Sequence, residues 1–341
     1  MVSLHQLLPD EAQRAMAQRS FAARADKMAA IGLQAKLCGT SLEPYGVPEE
    51  LSALPQEEFM ALIREMTTAH AIGKMDEALK LKPKVGRCRA LSSLLPQEGD
   101  ESPIARADRP PVLHVVVARY REDVAWLRQL PPQISYHVMQ KDALSPELPE
   151  AAQTLEPNVG RESHSYLRHM QRLLSAHHEG GTPLPPLVVC CQADPFDHNP
   201  SIVDDLATLA RCAATDRMPK WTPLGQWTDG ERLLHCDASG APHAQRLLPI
   251  GRVWRALFTD ARHVPLWLAF TPGACFAVSG KVLLRPGLPA LLETALSPAC
   301  GVSAAVDPIA GHVFERLWMY ILLDDAEVDE AVRVFGGGAD G

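Results

Sequence analysis

No stretch of this chain comes near the ~20 consecutive apolar residues that a membrane-spanning helix needs, although 46% of its 341 residues are hydrophobic. The first residues carry Asp10 and Glu11 and lack a long apolar core, so they do not read as a secretory signal. Basic clusters are missing too. Lys and Arg number 33 against 41 Asp and Glu, a net charge of −8. A nucleic-acid binder needs a basic face to neutralise phosphates, and none is offered. None of the eight cysteines forms a CxxC pair, which removes the common zinc and redox spacings. The adjacent Cys190 and Cys191 point to opposite faces if they lie in a strand. Reduced thiols in a cytoplasmic protein are the simplest reading. GxSxG, GxxxxGK[ST], HExxH and a GxGxxG after a strand are all absent. Those gaps count against a serine hydrolase, a P-loop NTPase, a zincin and a dinucleotide-dependent oxidoreductase.

What the chain has in quantity is punctuation: 29 prolines and 22 glycines. They divide it into segments. Residues 1–92 read as helices, with Ala-rich helical spacing over 11–38 and Pro-plus-acid helix starts at Pro48 and Pro55. Residues 93–111 are polar, acidic and Pro-rich, the composition of a linker. From residue 112 the character changes. Val112–Ala118 and Leu187–Cys191 are apolar runs of buried-strand type, Ile134–Met139 is a second strand, and Glu122–Leu130 and Glu162–His178 are helical between them. Strand, helix, strand, helix, strand predicts an α/β domain over 112–330 with a mostly parallel sheet, followed by a flexible tail over 331–341.

Such sheets put ligands at the carboxyl ends of their strands. The loop after the third strand runs from Gln192 to Pro200 and holds Asp194, Asp197 and His198. Its carboxylates suit a hard cation such as Mg²⁺ or Mn²⁺ on a diphosphate. The same residues also suit an Asx-type turn at Asp194-Pro195 and a cap from Asp197 or Asn199 for a helix over 201–214. A second candidate is the turn Asn158-Val159-Gly160-Arg161 at a helix start, where backbone N–H groups and Arg161 can face an anion. The competing role is structural, with Glu162 as an N-terminal helix acid, Tyr166, Leu167 and Met170 in the core, and His164 and His169 as packing or surface residues. A third is the small-residue turn Thr271–Ala274 ahead of a buried strand. Further along the chain, His312, Glu315 and Arg316 share one turn of a helix opened by Gly311. A carboxylate and an imidazole so placed suit a general base and its partner, or a structural contact between helices.

Several stretches carry a resemblance in order: Val115–Leu127, Asn158–Glu162 with Tyr166-Leu167, Gln192–His198, Phe276–Ser279 and Glu315–Trp318. Together, over roughly residues 112–323, they resemble the domain-of-unknown-function family 3431, whose pattern looks like a variant of the GT-A glycosyltransferase fold. The resemblance implies a GT-A-like (Rossmann-like) sheet flanked by helices, with the helical N-terminal segment added. It implies transfer of a sugar from a nucleotide-sugar donor to an acceptor hydroxyl. Carried over by position, Ala118, Arg119, Tyr120, Glu122 and Asp123 would flank the nucleotide, with Asn158, Gly160, Arg161 and Gln192 lining the same cleft. Asp194, Asp197 and His198 would stand for the metal motif with Mn²⁺ or Mg²⁺, and Glu315 or His312 would be the base. The two acids stand three apart around Pro195, where the family motif has them two apart. Two other readings remain at this point: a metal-dependent phosphate-ester hydrolase, and a non-catalytic binding protein whose N-terminal helices dock a partner.

Overall fold

A computed structural model describes residues 55, 57–58, 61, 111–214, 218–225, 233–237, 242–243, 246–258, 262–300 and 309–335. The chain divides into two compact units, one of residues 1–82 with 242–247, the other of residues 83–241 with 248–341. In the first unit Glu57, Glu58 and Ala61 are helical, in line with the start expected at Pro55, and Pro242–His243 pairs antiparallel with Arg246–Leu247. The helix over 11–38 and the linker over 93–110 lie outside the described residues.

The second unit is built on strands β1 (Leu113–Arg119), β2 (Ile134–Gln140), β3 (Gln153–Leu155) and β4 (Leu187–Gln192), with helix α1 (Arg161–Gly180) between β3 and β4 and α2 (Ile202–Ala214) after β4. Then come β5 (Trp221–Pro223) and β6 (Leu234–Asp237), and, after the short hairpin strands β7 (Pro242–His243) and β8 (Arg246–Leu247) of the other unit, α3 (Ile250–Phe258), β9 (Trp267–Phe270) and β10 (Phe276–Ser279). Helices α4 (Gly280–Leu283), α5 (Leu288–Cys300), α6 (Ile309–Leu322) and α7 (Asp325–Phe335) complete it. The main sheet has the order β3-β2-β1-β4-β10-β5. Its first four strands are parallel, and β10 runs antiparallel to both β4 and β5. This is an α/β fold with a mostly parallel mixed sheet flanked by helices, compatible with a Rossmann-like architecture. The chain lays down β1, β2 and β3 in one direction and then crosses back over β1 to place β4. The strand order therefore reverses between β1 and β4, where α/β sheets open a crevice.

The buried-strand reading of β4 is met in full, because Leu187 through Cys191 are entirely inaccessible. A strand covered on both faces has no polar side to alternate with. Val116, Val188 and Cys190 pack with Tyr166, Leu167, Met170 and Leu174 of α1. Phe276 of β10 sits at the centre, with ring contacts to Tyr166, Trp221 and Trp318. Each such side chain contributes about 1.5–3 kcal/mol by leaving water.

Two expectations change. Glu122–Leu130 is not an α-helix: only Ala125–Gln129 coils, as a 3₁₀ turn. The Glu122 carboxylate accepts the N–H groups of Tyr120 at 2.7 Å and Arg121 at 3.0 Å, and Asp123 accepts that of Ala125 at 2.8 Å. Those short side-chain bonds give the backbone an alternative to the helical ladder. At the other end, α7 runs through Phe335 with Val328, Ala331 and Phe335 buried, so residues 331–335 of the expected tail are helical.

Candidate functional site

At the reversal, backbone and indole contacts tie the end of β4 to the end of β1. Ala193 N–H bonds Ala118 O at 3.0 Å, and Trp126 Nε1 donates to Ala193 O at 2.9 Å. Gln192, the last residue of β4, reaches across to donate to the carbonyl of Gly273. Gly273 has φ +81°, and a Cβ there would lie 2.5 Å from the His198 ring, so glycine is what lets that imidazole lie against the turn. Ala274 follows with φ +51°, a left-handed conformation that costs a non-glycine residue energy.

On the far side of this turn stands Glu315 of α6. Its carboxylate accepts the Gly273 N–H at 2.6 Å and the Arg316 guanidinium at 3.0 Å, with His312 Nδ1 at 3.9 Å. Burial pushes the Glu315 carboxyl up, but His312, Arg316, the Gly273 amide and nearby His198 outweigh it and hold it at about 2. Arg316 itself is buried, donates to His312 O at 2.7 Å and lies over the Phe270 ring at 4.6 Å. His312 Nε2 lies 3.1 Å from the Arg161 guanidinium, whose Nε is 3.4 Å from Glu162.

The contacts therefore run from Asp197 and His198, 3.7 Å apart, through Gly273, Glu315 and His312 to Arg161, with Gln192 joined through Gly273. Four residues expected at the nucleotide, Arg119 at the end of β1 and Tyr120, Glu122 and Asp123 on the loop after it, brace that loop. Arg119 donates to Gln140 at 2.8 Å and to Glu122 O at 2.7 Å, while Glu122 and Asp123 bond their own backbone and Tyr120 lies under Arg121. Asn158 is exposed on its turn and Asp194 is half-buried. Of the two capping candidates it is Asn199 that holds the start of α2: its Oδ1 accepts Ser201 N–H at 3.0 Å and its amide donates to Asp205 and to Leu224 O, each at 2.8 Å. Among the described residues no group of three or more His, Cys, Asp or Glu is arranged to hold a metal ion, so Asp194, Asp197 and His198 do not form a ligand set of three.

Two polar clusters escaped the sequence. Behind the 157–160 turn, Lys141 Nζ lies 3.3 Å from Glu156 and donates to Val159 O at 2.7 Å, and Ser165 and His164 also face Glu156. Burial raises the Glu156 carboxyl, and His164, Lys141 and Ser165 together bring it below its ordinary value. Lys141 follows the end of β2, so the strand-end rule applied to that strand points to it. Under α1, His114 Nε2 and His169 Nε2 meet at 3.0 Å, His114 Nδ1 reaches Ser135 at 2.7 Å, and the ring of His137 lies 5.0 Å from that of His169. Burial and His137 lower His114 to about 4, and burial with the two other rings drives His169 well down.

No helix among the described residues is long and apolar enough to cross a membrane. No family model, curated protein or solved structure matches the chain.

Proposed function

We propose that the chain is a GT-A-like glycosyltransferase that moves a sugar from a nucleotide-sugar donor to an acceptor hydroxyl. One observation carries this reading: His312, Glu315, Arg161 and the Asp197–His198 loop meet around Gly273, next to the point where the strand order reverses. Arg161 supplies a planar cation suited to a diphosphate. In this reading Tyr120 and the braced loop after β1 flank the nucleotide. In the reaction the acceptor oxygen bonds the anomeric carbon, the bond to the diphosphate breaks with its electron pair, and the hydroxyl proton passes to a base.

His312 fits that base better than Glu315. A carboxylate held at about 2 takes up a proton poorly at neutral pH. Glu315 is instead the positioning residue, facing His312 Nδ1 and leaving Nε2 as the proton acceptor, in the logic of a catalytic dyad. A Mn²⁺ or Mg²⁺ ion near Asp194 and Asp197 would take most of its oxygens from the diphosphate, since the loop lacks three ligands of its own.

Thermal shift and calorimetry with UDP and GDP, each with and without Mn²⁺, test the reading. A rise in melting temperature with at least one nucleoside diphosphate is expected. No response to either, in any metal condition, overturns it.

A further inference from the structure

Arg161 is held where it is by three unusual features. Its backbone has φ +49°, the left-handed region, directly after Gly160 at φ +62°. Its aliphatic stem lies in a notch at Gly311 of α6, where a Cβ would come within 2.6 Å of Arg161 Cδ. Its guanidinium lies between the Glu162 carboxylate and Nε2 of His312. A strained backbone and a helix that gives up a side chain both aim one cation at one imidazole nitrogen. Such strain persists only where the surroundings enforce it.

An arginine is always a donor, so the 3.1 Å contact makes Nε2 the acceptor and leaves the His312 proton on Nδ1, facing Glu315. Nε2 is the nitrogen that would receive a proton, and here it is occupied. We infer that Arg161 is a gate on His312: an incoming diphosphate draws the guanidinium away, frees the Nε2 lone pair and takes a positive charge from beside it. The inference rests on the proposed reading for the identity of the anion. It adds an order to the reaction, with the donor bound before the base is available. Other charges around the imidazole are fixed in this picture: Glu315 and Arg316 on its own helix, Glu162 behind Arg161, and Asp197 with His198 across Glu315.

The test is the ring-proton NMR titration of His312, assigned by the signal lost in His312→Gln. Saturating inorganic pyrophosphate raises the proton affinity of the wild-type imidazole about tenfold, the scale of losing one close charge. Arg161→Gln produces the same rise with no ligand and abolishes the response to pyrophosphate. The wild-type titration needs no variant to fold, and Arg161→Lys, which keeps the charge, lies between. An imidazole unmoved by pyrophosphate, or unmoved by Arg161→Gln, overturns the gate. Nucleotide binding in the same samples separates the two ideas. UDP or GDP that binds and leaves His312 unmoved removes the gate and keeps the transferase. Pyrophosphate that moves His312 where no nucleotide binds keeps the gate and removes the transferase.

Discussion

Helix α1 carries Arg161 at its first position and His169 farther along, and the two are surrounded very differently. Around His169 lie two more imidazoles, bonded in turn to the hydroxyls of Ser135 and Thr154, with the Arg172 cation near, and among the described residues no carboxylate is in contact. Around Arg161 lie Glu162, His312 and, one contact further, Glu315 with Arg316. Both clusters lower pKa values, yet the consequences are opposite. For His114, lowering to about 4 means that the group stays neutral through most of the physiological range. For Glu315, lowering to about 2 means that it stays charged. Burial without opposite charge discharges a group, and burial among donors keeps it ionised. The first arrangement suits packing; the second is costly to build and supports chemistry.

The largest effect expected from breaking this contrast is at Glu315. Glu315→Ala leaves the buried Arg316 cation without its carboxylate and the Gly273 N–H without its acceptor and lowers stability by about 3–5 kcal/mol in urea unfolding. A loss under 1 kcal/mol would mean that the carboxylate does not hold the turn.

Next comes the pH dependence, where the two clusters act in separate windows. The unfolded chain protonates His114 near 6.5 and the folded chain only near 4, so this stabilisation is complete above 6.5 and falls as pH drops through that interval, by on the order of 3 kcal/mol. Glu315 adds a second loss from about 4.5 down to 2, for the same linkage reason with a carboxylate. Urea midpoints measured against pH resolve both. His114→Gln lessens the slope of the upper window, which His137 and His169 share, and leaves the lower window as it is; an upper slope left unchanged in that variant sinks the assignment.

The smallest effect is a control. Arg121 and Asp142 form an ion pair at 2.8 Å with both partners exposed, so it has opposite charge without burial. Arg121→Ala leaves the melting temperature unchanged within error, because water already solvates both groups.

The parts of the fold legible in the sequence are those governed by local pattern. The apolar runs at 112–118 and 187–191 have no other place than a covered sheet, and the α1 span follows from its spacing and its Gly160 start. What escaped depends on partners distant in the chain. Nothing near Phe276 says that β10 runs antiparallel to β4, since that is decided by which strand it meets. The three residues of β3 are too few to show a period. At 122–130 the helical spacing lost to two acids bonding their own backbone. The candidate site shows the same division. The 192–198, 271–274 and 311–316 segments each read as loop or helix-start chemistry, but the pairing of Lys141 with Glu156 and the notch at Gly311 arise only when separate elements meet.

The Gly273 peptide has a last consequence. Its N–H is held by α6 and its C=O by the end of β4, so neither element can shift without the other following. The order of this turn is settled when the protein folds, and a ligand arriving beside it need not supply the entropy of arranging it. If Arg161 is the gate, what remains for a ligand to reorganise is that one long side chain.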